Sequence, residues 1–306
     1  MFQLKMLGTA AGGGFPQWNC CCPLCQRCRG ANQTLVPRLQ LQATVSRDGK
    51  HWFLINASPD LRVQIEANAE LQPRPDMDMR NTPIAGIVLT CADLDQVLGL
   101  LLLREFQPLT LYATALVRNT LEANSFFRML HRVPNQLTWV EIRPGEMFIL
   151  GASGIACTPI PLSGSLPLYA RELDTGEYGQ ASVGLLLEGG GRRVAYTPSV
   201  PEIAEELRAL YDTCDTILVD GTFWSNAELS QTHAGTPDAR SIGHIPLSGD
   251  DGTLSLMAGV KQPRKVLTHI NNTNPILDPE SPEHRASLKA GWEIGYDGWE
   301  LNRQAL

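Results

Sequence analysis

The sequence has no run of basic residues, no long apolar stretch and no secretory leader pattern. The missing basic run, together with a net charge of −7, excludes a protein that grips a phosphate backbone, so no nucleic-acid partner is expected. The longest strongly apolar stretch, Val97–Leu103, is about a third of what a bilayer-spanning helix requires, so no membrane partner is expected either. The opening residues, MFQLKMLGTAAGGG, lack a charged segment leading into an apolar core, which makes a cytoplasmic location the expectation. Charged residues are only 19% and hydrophobic residues 43% of 306, a balance that excludes disorder and supplies a sizeable core. The triple glycine at 12–14 follows a strand, but FPQWNC comes next where a dinucleotide-binding turn would need a helix, so that reading fails.

Cysteine, by contrast, is crowded. Five of the eight stand within nine positions, at Cys20, Cys21, Cys22, Cys25 and Cys28. Disulfides are rare in the cytoplasm, so the cluster points to metal or redox chemistry. The C-x-C and C-x-x-C spacings let several sulfurs converge, and Zn²⁺ favours such thiolates. Adjacent residues seldom point the same way, so at most four of the five bind one ion. Cys20, Cys22 and Cys25 are the natural three; Cys28 or a distant residue is the fourth. A redox or inert set of thiols is the alternative. Pro16, Asn19 and Pro23 argue for an irregular loop, not the helix start that a redox motif needs. The expected zinc-stapled loop lies within residues 18–30.

Alternating patterns predict many short strands, among them HWFLIN (51–56), IAGIVLT (84–90), DTILVD (215–220) and RKVLTH (264–269). Helical periods are expected at 60–69, 94–106, 116–130, 201–211, 251–260 and 282–290, with Pro201 and Pro282 suited to first turns. Early strands follow one another in hairpin-like succession, with helices interspersed. The expectation is an α+β fold, an αββα sandwich, forming a single domain over 1–306 with no linker to divide it.

A second constellation follows the strand that ends at Thr90: Cys91, Asp93, Asp95 and Gln96, reading C-x-D-x-D-Q. It resembles the H-x-H-x-D-H junction of the metallo-β-lactamase superfamily, with each histidine replaced. Ser163 and Gly164 stand where the next metal histidine would follow TPIPL, and Ser199 stands where the bridging aspartate would follow RVAYTP. Of that dinuclear set only Asp95 and His269 match, so a two-zinc hydrolase is not expected. GTAAGGGFPQWNC, NASPDLR, LLLRE, VDGTFW, GHIPLSG and HINNTNPILDP together resemble the pyrroloquinoline quinone (PQQ) biosynthesis protein B family over nearly the whole chain. Members of that family keep Asp-His where this chain has Asp95-Gln96, and an amide is a weaker, neutral ligand.

The resemblance implies a metallo-β-lactamase-like fold and a role in PQQ biosynthesis. The activity it implies is an O₂-dependent, non-haem-iron hydroxylation of the tyrosine part of a Glu–Tyr-derived precursor. The alternative is a non-catalytic carrier of the quinone or its precursor. Comparison with a phosphonate-pathway phosphodiesterase of the same superfamily implies a structural zinc on Cys20, Cys22 and Cys25, with Asn272 as fourth contact and Cys28 as rival. For an active-site Fe²⁺ the expected ligands are Asp93, Asp95, His269 and Cys91, with Gln96 as a further donor. Asp93 is alternatively a helix cap, Cys91 a buried thiol without a role. His244 and Asp220 are expected to move protons or position substrate, or else to serve as a cap partner and a turn former. The remaining histidines, His51, His131, His233 and His284, read as surface or ordinary polar residues. The expected partners are the small-molecule precursor, other enzymes of the pathway and a second copy of the chain.

Overall fold

The computed structural model describes residues 1–30, 34–105, 107–232 and 235–303. Its strands belong to two sheets, and its contacts gather into two units. The first unit is Met1–Leu7, Gln42–Gly191 and Glu300–Arg303; the second comprises Gly8–Leu41 and Arg192–Trp299. Each is discontinuous in sequence, because the chain leaves the second unit after residue 41 and returns to it at 192.

The first unit holds a six-stranded sheet in sequence order: β1 (Gln3–Gly8), β2 (Gln42–Ser46), β3 (Trp52–Ile55), β4 (Ile84–Val88), β5 (Leu109–Ala113) and β6 (Leu137–Glu141). Strands β2 and β3 are antiparallel, but β3 through β6 run parallel. That departs from the hairpin-like succession expected. Helices intervene at Leu61–Glu66, Leu94–Val97 and Ala115–Ala123 and supply the crossovers that parallel strands require. Leu54, Ile87, Leu89, Leu111 and Ala113 pack in one core with Leu61, Val97, Leu100, Leu116, Val117 and Leu121. Each such side chain contributes roughly 1.5–3 kcal/mol by leaving water. The helix expected over 94–106 stops at Val97 and continues as 3₁₀ turns through Leu98–Leu103; Phe106 lies outside the described residues. The reason is a close backbone contact: Gly99 N donates to Ala57 O at 2.8 Å, and a Cβ at Gly99 would lie 2.3 Å from Ser58 O. Three further strands, β7 (Phe148–Ile149), β8 (Ala156–Pro161) and β9 (Val183–Gly189), are antiparallel.

The second unit is built on four parallel strands: β10 (Arg192–Thr197), β11 (Thr216–Asp220), β12 (Arg264–Thr268) and β13 (Trp292–Ile294). TILVD is buried along its length, as a strand covered on both faces should be. The helix expected from Pro201 begins later, at Glu205–Asp212, whereas Pro282 does occupy a first turn, in Pro282–Lys289. The N-terminal segment is tied to this unit by main-chain bonds, with Ile270 N donating to Thr9 O and Ala11 N to Ile270 O. Asp297 fastens it again, accepting from Thr9 Oγ1 at 2.7 Å and Leu39 N at 2.6 Å. These ties bring residues 20–25 to the turn that follows β12.

Candidate active site and metal centre

The cysteine segment is helical over Pro23–Arg29, which corrects the expected irregular loop. Pro23 takes the first helical position, where its missing N–H costs nothing, and Cys22 is the N-cap, its sulfur accepting from Cys25 N at 3.5 Å. One helical turn therefore sets Cys22 beside Cys25, and the residues before the helix bring Cys20 to them. The three sulfurs lie within 4.8 Å of one another. Asn272 reaches the same point: its Nδ2 is 3.1 Å from Cys20 Sγ, 3.4 Å from Cys25 Sγ and 3.9 Å from Cys22 Sγ. Cys28 points elsewhere, its thiol on Leu35 O at 3.6 Å, and is not part of the group. No cysteine is in a disulfide.

The donor set fits a soft cation. Burial pushes the Cys22 thiol up to about 11, and the neighbouring Cys20 and Cys25 add to the rise. Cys20 moves down: burial opposes this, but bonds from Cys22, Cys25 and Asn272 outweigh it. A bound divalent ion would let all three ionise, and a half-turn of the Asn272 carboxamide exchanges its nitrogen for its oxygen.

Forty-nine positions of chain separate the other two groups that meet in this unit, Asp220 and His269, yet the parallel register pairs Asp220 with Thr268. Both therefore emerge at the carboxyl ends of adjacent strands, where open parallel sheets place their ligands. The approach depends on Gly221, whose N donates to Thr268 O at 2.8 Å; a Cβ there would lie 3.0 Å from Leu267 Cβ and from Thr268 O. His269 has φ 57°, left-handed backbone that a histidine seldom adopts. His244 follows a 3₁₀ turn and Gly243 at φ 87°. Asp220, His244 and His269 offer ligand atoms within 4.8 Å of one another, and the two rings lie 5.2 Å apart.

Asp220 is fully buried and saturated with donors. Oδ2 accepts from Val200 N at 2.8 Å and meets His244 Nδ1 at 2.7 Å; Oδ1 accepts from Thr222 N at 2.9 Å and Thr222 Oγ1 at 2.6 Å. Its Oδ1 bonds close the turn to Thr222. Burial alone would raise its pKa, but His244, His269 and these hydrogen bonds hold it below the usual carboxylate range. Thr222, which residue patterns did not single out although it lies within VDGTFW, touches both rings, at 3.1 Å from His244 Nδ1 and 3.0 Å from His269 Nδ1. Its signal was its position, two residues beyond a strand-ending aspartate.

The C-x-D-x-D-Q residues stand in the first unit. His269 is grouped with Asp220 and His244, and no cluster of three ligand-bearing residues among the described residues contains Cys91, Asp93 or Asp95. Asp93 is the N-cap residue of Leu94–Val97, without a side-chain cap bond. Cys91 is buried, which drives its thiol well above its ordinary value, and Asp93 beside it adds to the rise. Gln96, a further expected donor, is 2% exposed and engaged with Asn56 Nδ2 and, at 3.2 Å, Thr90 Oγ1. Asn56 also accepts from Thr90 N at 2.9 Å, so the Gln96 amide completes a buried hydrogen-bond network.

Among the other histidines, His51 pairs with Asp48, His131 with Glu122, and His284 Nδ1 lies 2.7 Å from Ile276 O; His233 lies outside the described residues.

Comparison with known proteins gives these sites a context. A family model described as a beta-lactamase superfamily domain matches residues 51–270. Coenzyme PQQ synthesis protein B of Methylobacterium nodulans is 40% identical over 302 residues, covering 98% of this chain and 99% of that one. The protein of the same name from Gluconacetobacter diazotrophicus is 40% identical over 315 residues, with the same coverage. The crystal structure of Zn²⁺-bound PqqB from Methylobacterium extorquens superposes with a TM-score of 0.91 at 36% identity, covering 98% of this chain and all of the other. A diphosphatase from the PhnP family, 20% identical with a TM-score of 0.68, shares the fold alone. With matches running almost end to end, the chain has the two-sheet metallo-β-lactamase fold and belongs to the coenzyme PQQ synthesis protein B family.

Proposed function

We propose that this protein acts in the synthesis of pyrroloquinoline quinone, as the enzyme that hydroxylates the tyrosine part of a Glu–Tyr-derived precursor with dioxygen. Family membership supports the pathway. The observation that carries the reaction class is the meeting of two imidazoles and one carboxylate, His244, His269 and Asp220, at the carboxyl ends of parallel strands. Imidazole nitrogen is a donor that suits iron. Both oxygens of Asp220 already accept hydrogen bonds, so the two histidines would hold the ion, with Asp220 orienting His244 from behind. Bound iron would supply the site where dioxygen is activated. The chain's own residues orient the imidazoles: Asp220 fixes the His244 ring and Thr222 spans both rings.

A structural zinc on Cys20, Cys22, Cys25 and Asn272 is the second part of the proposal. The convergence of three thiols and the Zn²⁺-bound relative support it. It holds the scaffold and takes no part in the chemistry.

One observation favours the carrier instead: Gln96 stands where the superfamily has a ligand and is built into a buried network with Asn56 and Thr90. A single experiment separates the readings. Anaerobic loading with Fe²⁺ followed by air and a tyrosine-containing precursor should consume oxygen and yield a hydroxylated product. Tight binding of the quinone with no oxygen uptake would establish the carrier.

A further inference from the structure

We infer that Thr222 is a positioning residue that fixes His269 as the tautomer with its proton on Nδ1. The inference rests on the proposed pocket but reads a property of the ring itself, not turnover. A threonine hydroxyl has one proton to give and two lone pairs to offer. Three groups surround the Thr222 oxygen: Asp220 Oδ1 at 2.6 Å, His269 Nδ1 at 3.0 Å and His244 Nδ1 at 3.1 Å. An ionised carboxylate can only accept, and its contact is the shortest, so the hydroxyl proton goes to Asp220. The oxygen then faces both rings with lone pairs, and each Nδ1 that bonds to it must carry a hydrogen.

For His244 this is a second constraint. Its Nδ1 also lies 2.7 Å from Asp220 Oδ2, which by itself demands a proton there. For His269 the constraint comes through Thr222. In each neutral ring the basic lone pair is thereby placed on Nε2, the atom left to take a proton or a cation. One hydroxyl thus turns a buried negative charge into two rings of the same polarity.

The asymmetry makes the test self-controlled. Nitrogen-15 NMR of the histidine rings distinguishes the two neutral tautomers. The sample is the full chain after brief chelation, shown by elemental analysis to keep one zinc, at a pH where the rings are neutral. The expected wild-type spectrum has both His244 and His269 protonated on Nδ1. In Thr222→Val, His269 shifts to a mixture of tautomers or to the Nε2 form, while His244, still held by Asp220, stays as it was. Thr222→Ser restores the wild-type pattern. A wild-type His269 carrying its proton on Nε2, or a Thr222→Val spectrum unchanged at His269, overturns the inference. Collapse of the site would move both rings together, and in that event Thr222→Ser decides by keeping or losing the Nδ1 form of His269. Failure of the proposed reaction would leave every one of these signals in place.

Discussion

Burial and hydrogen bonding shift individual carboxyl groups of the second unit in opposite directions. Glu228 is 6% exposed; burial carries its pKa up to about 7, against hydrogen bonds from Thr273 Oγ1 and Trp224 N. An acid whose folded pKa is raised contributes stability that is complete below its unfolded value, near 4.5, and is lost as pH rises through 7. That change is worth about 3 kcal/mol. Glu228→Gln should therefore flatten the fall in melting temperature between about pH 5 and pH 7.5, which thermal denaturation across that range will show. Asp220 works in the opposite sense: its depressed pKa contributes stability above the ordinary carboxylate range that disappears on acidification. His269 poses a different demand, because its backbone is left-handed. Asparagine tolerates that conformation, so His269→Asn removes the imidazole with little backbone cost. Oxygen uptake should drop by about 10²–10⁴-fold while the melting temperature holds; equal losses in both would contradict an active-site role.

At the level of elements, the chain's organisation was partly legible beforehand. TILVD and RKVLTH announce buried strands that end in Asp220 and His269, and the C-x-C-x-x-C spacing brings three sulfurs together. What the residues could not announce was register. The pairing of Asp220 with Thr268 is what sets that carboxylate beside His269. Short polar motifs invite a functional reading, yet Gln96 is spent on closing a network, a role that depends on Asn56 forty residues away. The helix at Pro23–Arg29 was hidden for a related reason: proline reads as a breaker unless its place in the first turn is known. Register also makes Gly221 indispensable. Gly221→Ala would force a methyl against the backbone of β12, and overpacking of this kind costs roughly 1–3 kcal/mol. Urea unfolding should show that loss, accompanied by weaker metal binding at the imidazoles. In the cysteine helix, Cys25→Ala removes a fully buried thiol of the proposed zinc site. Zinc content should fall well below one per chain and the melting temperature with it, whereas Cys21→Ala, at an exposed thiol outside the group, should change neither.

Over the whole molecule, the two units interleave along the chain, and neither could be released by cutting once. We propose that they unfold as one cooperative domain. Calorimetry should give a single transition whose calorimetric and van't Hoff enthalpies agree; two resolved transitions would refute it. Among the described residues no helix is long and apolar enough to cross a membrane.

The turn after β12 has the longest reach of any feature here. His269 and Asn272 are three residues apart; between them Asn271 N donates to Thr222 O, and just beyond them Asn274 Nδ2 holds Gly221 O. We propose that an ion held by the sulfurs at one end of this turn and an ion held by the imidazoles at the other would pull on the same few peptide groups. Their affinities would then be linked, and linkage is reciprocal: a titration with two metals should trace a curve that two independent sites cannot fit.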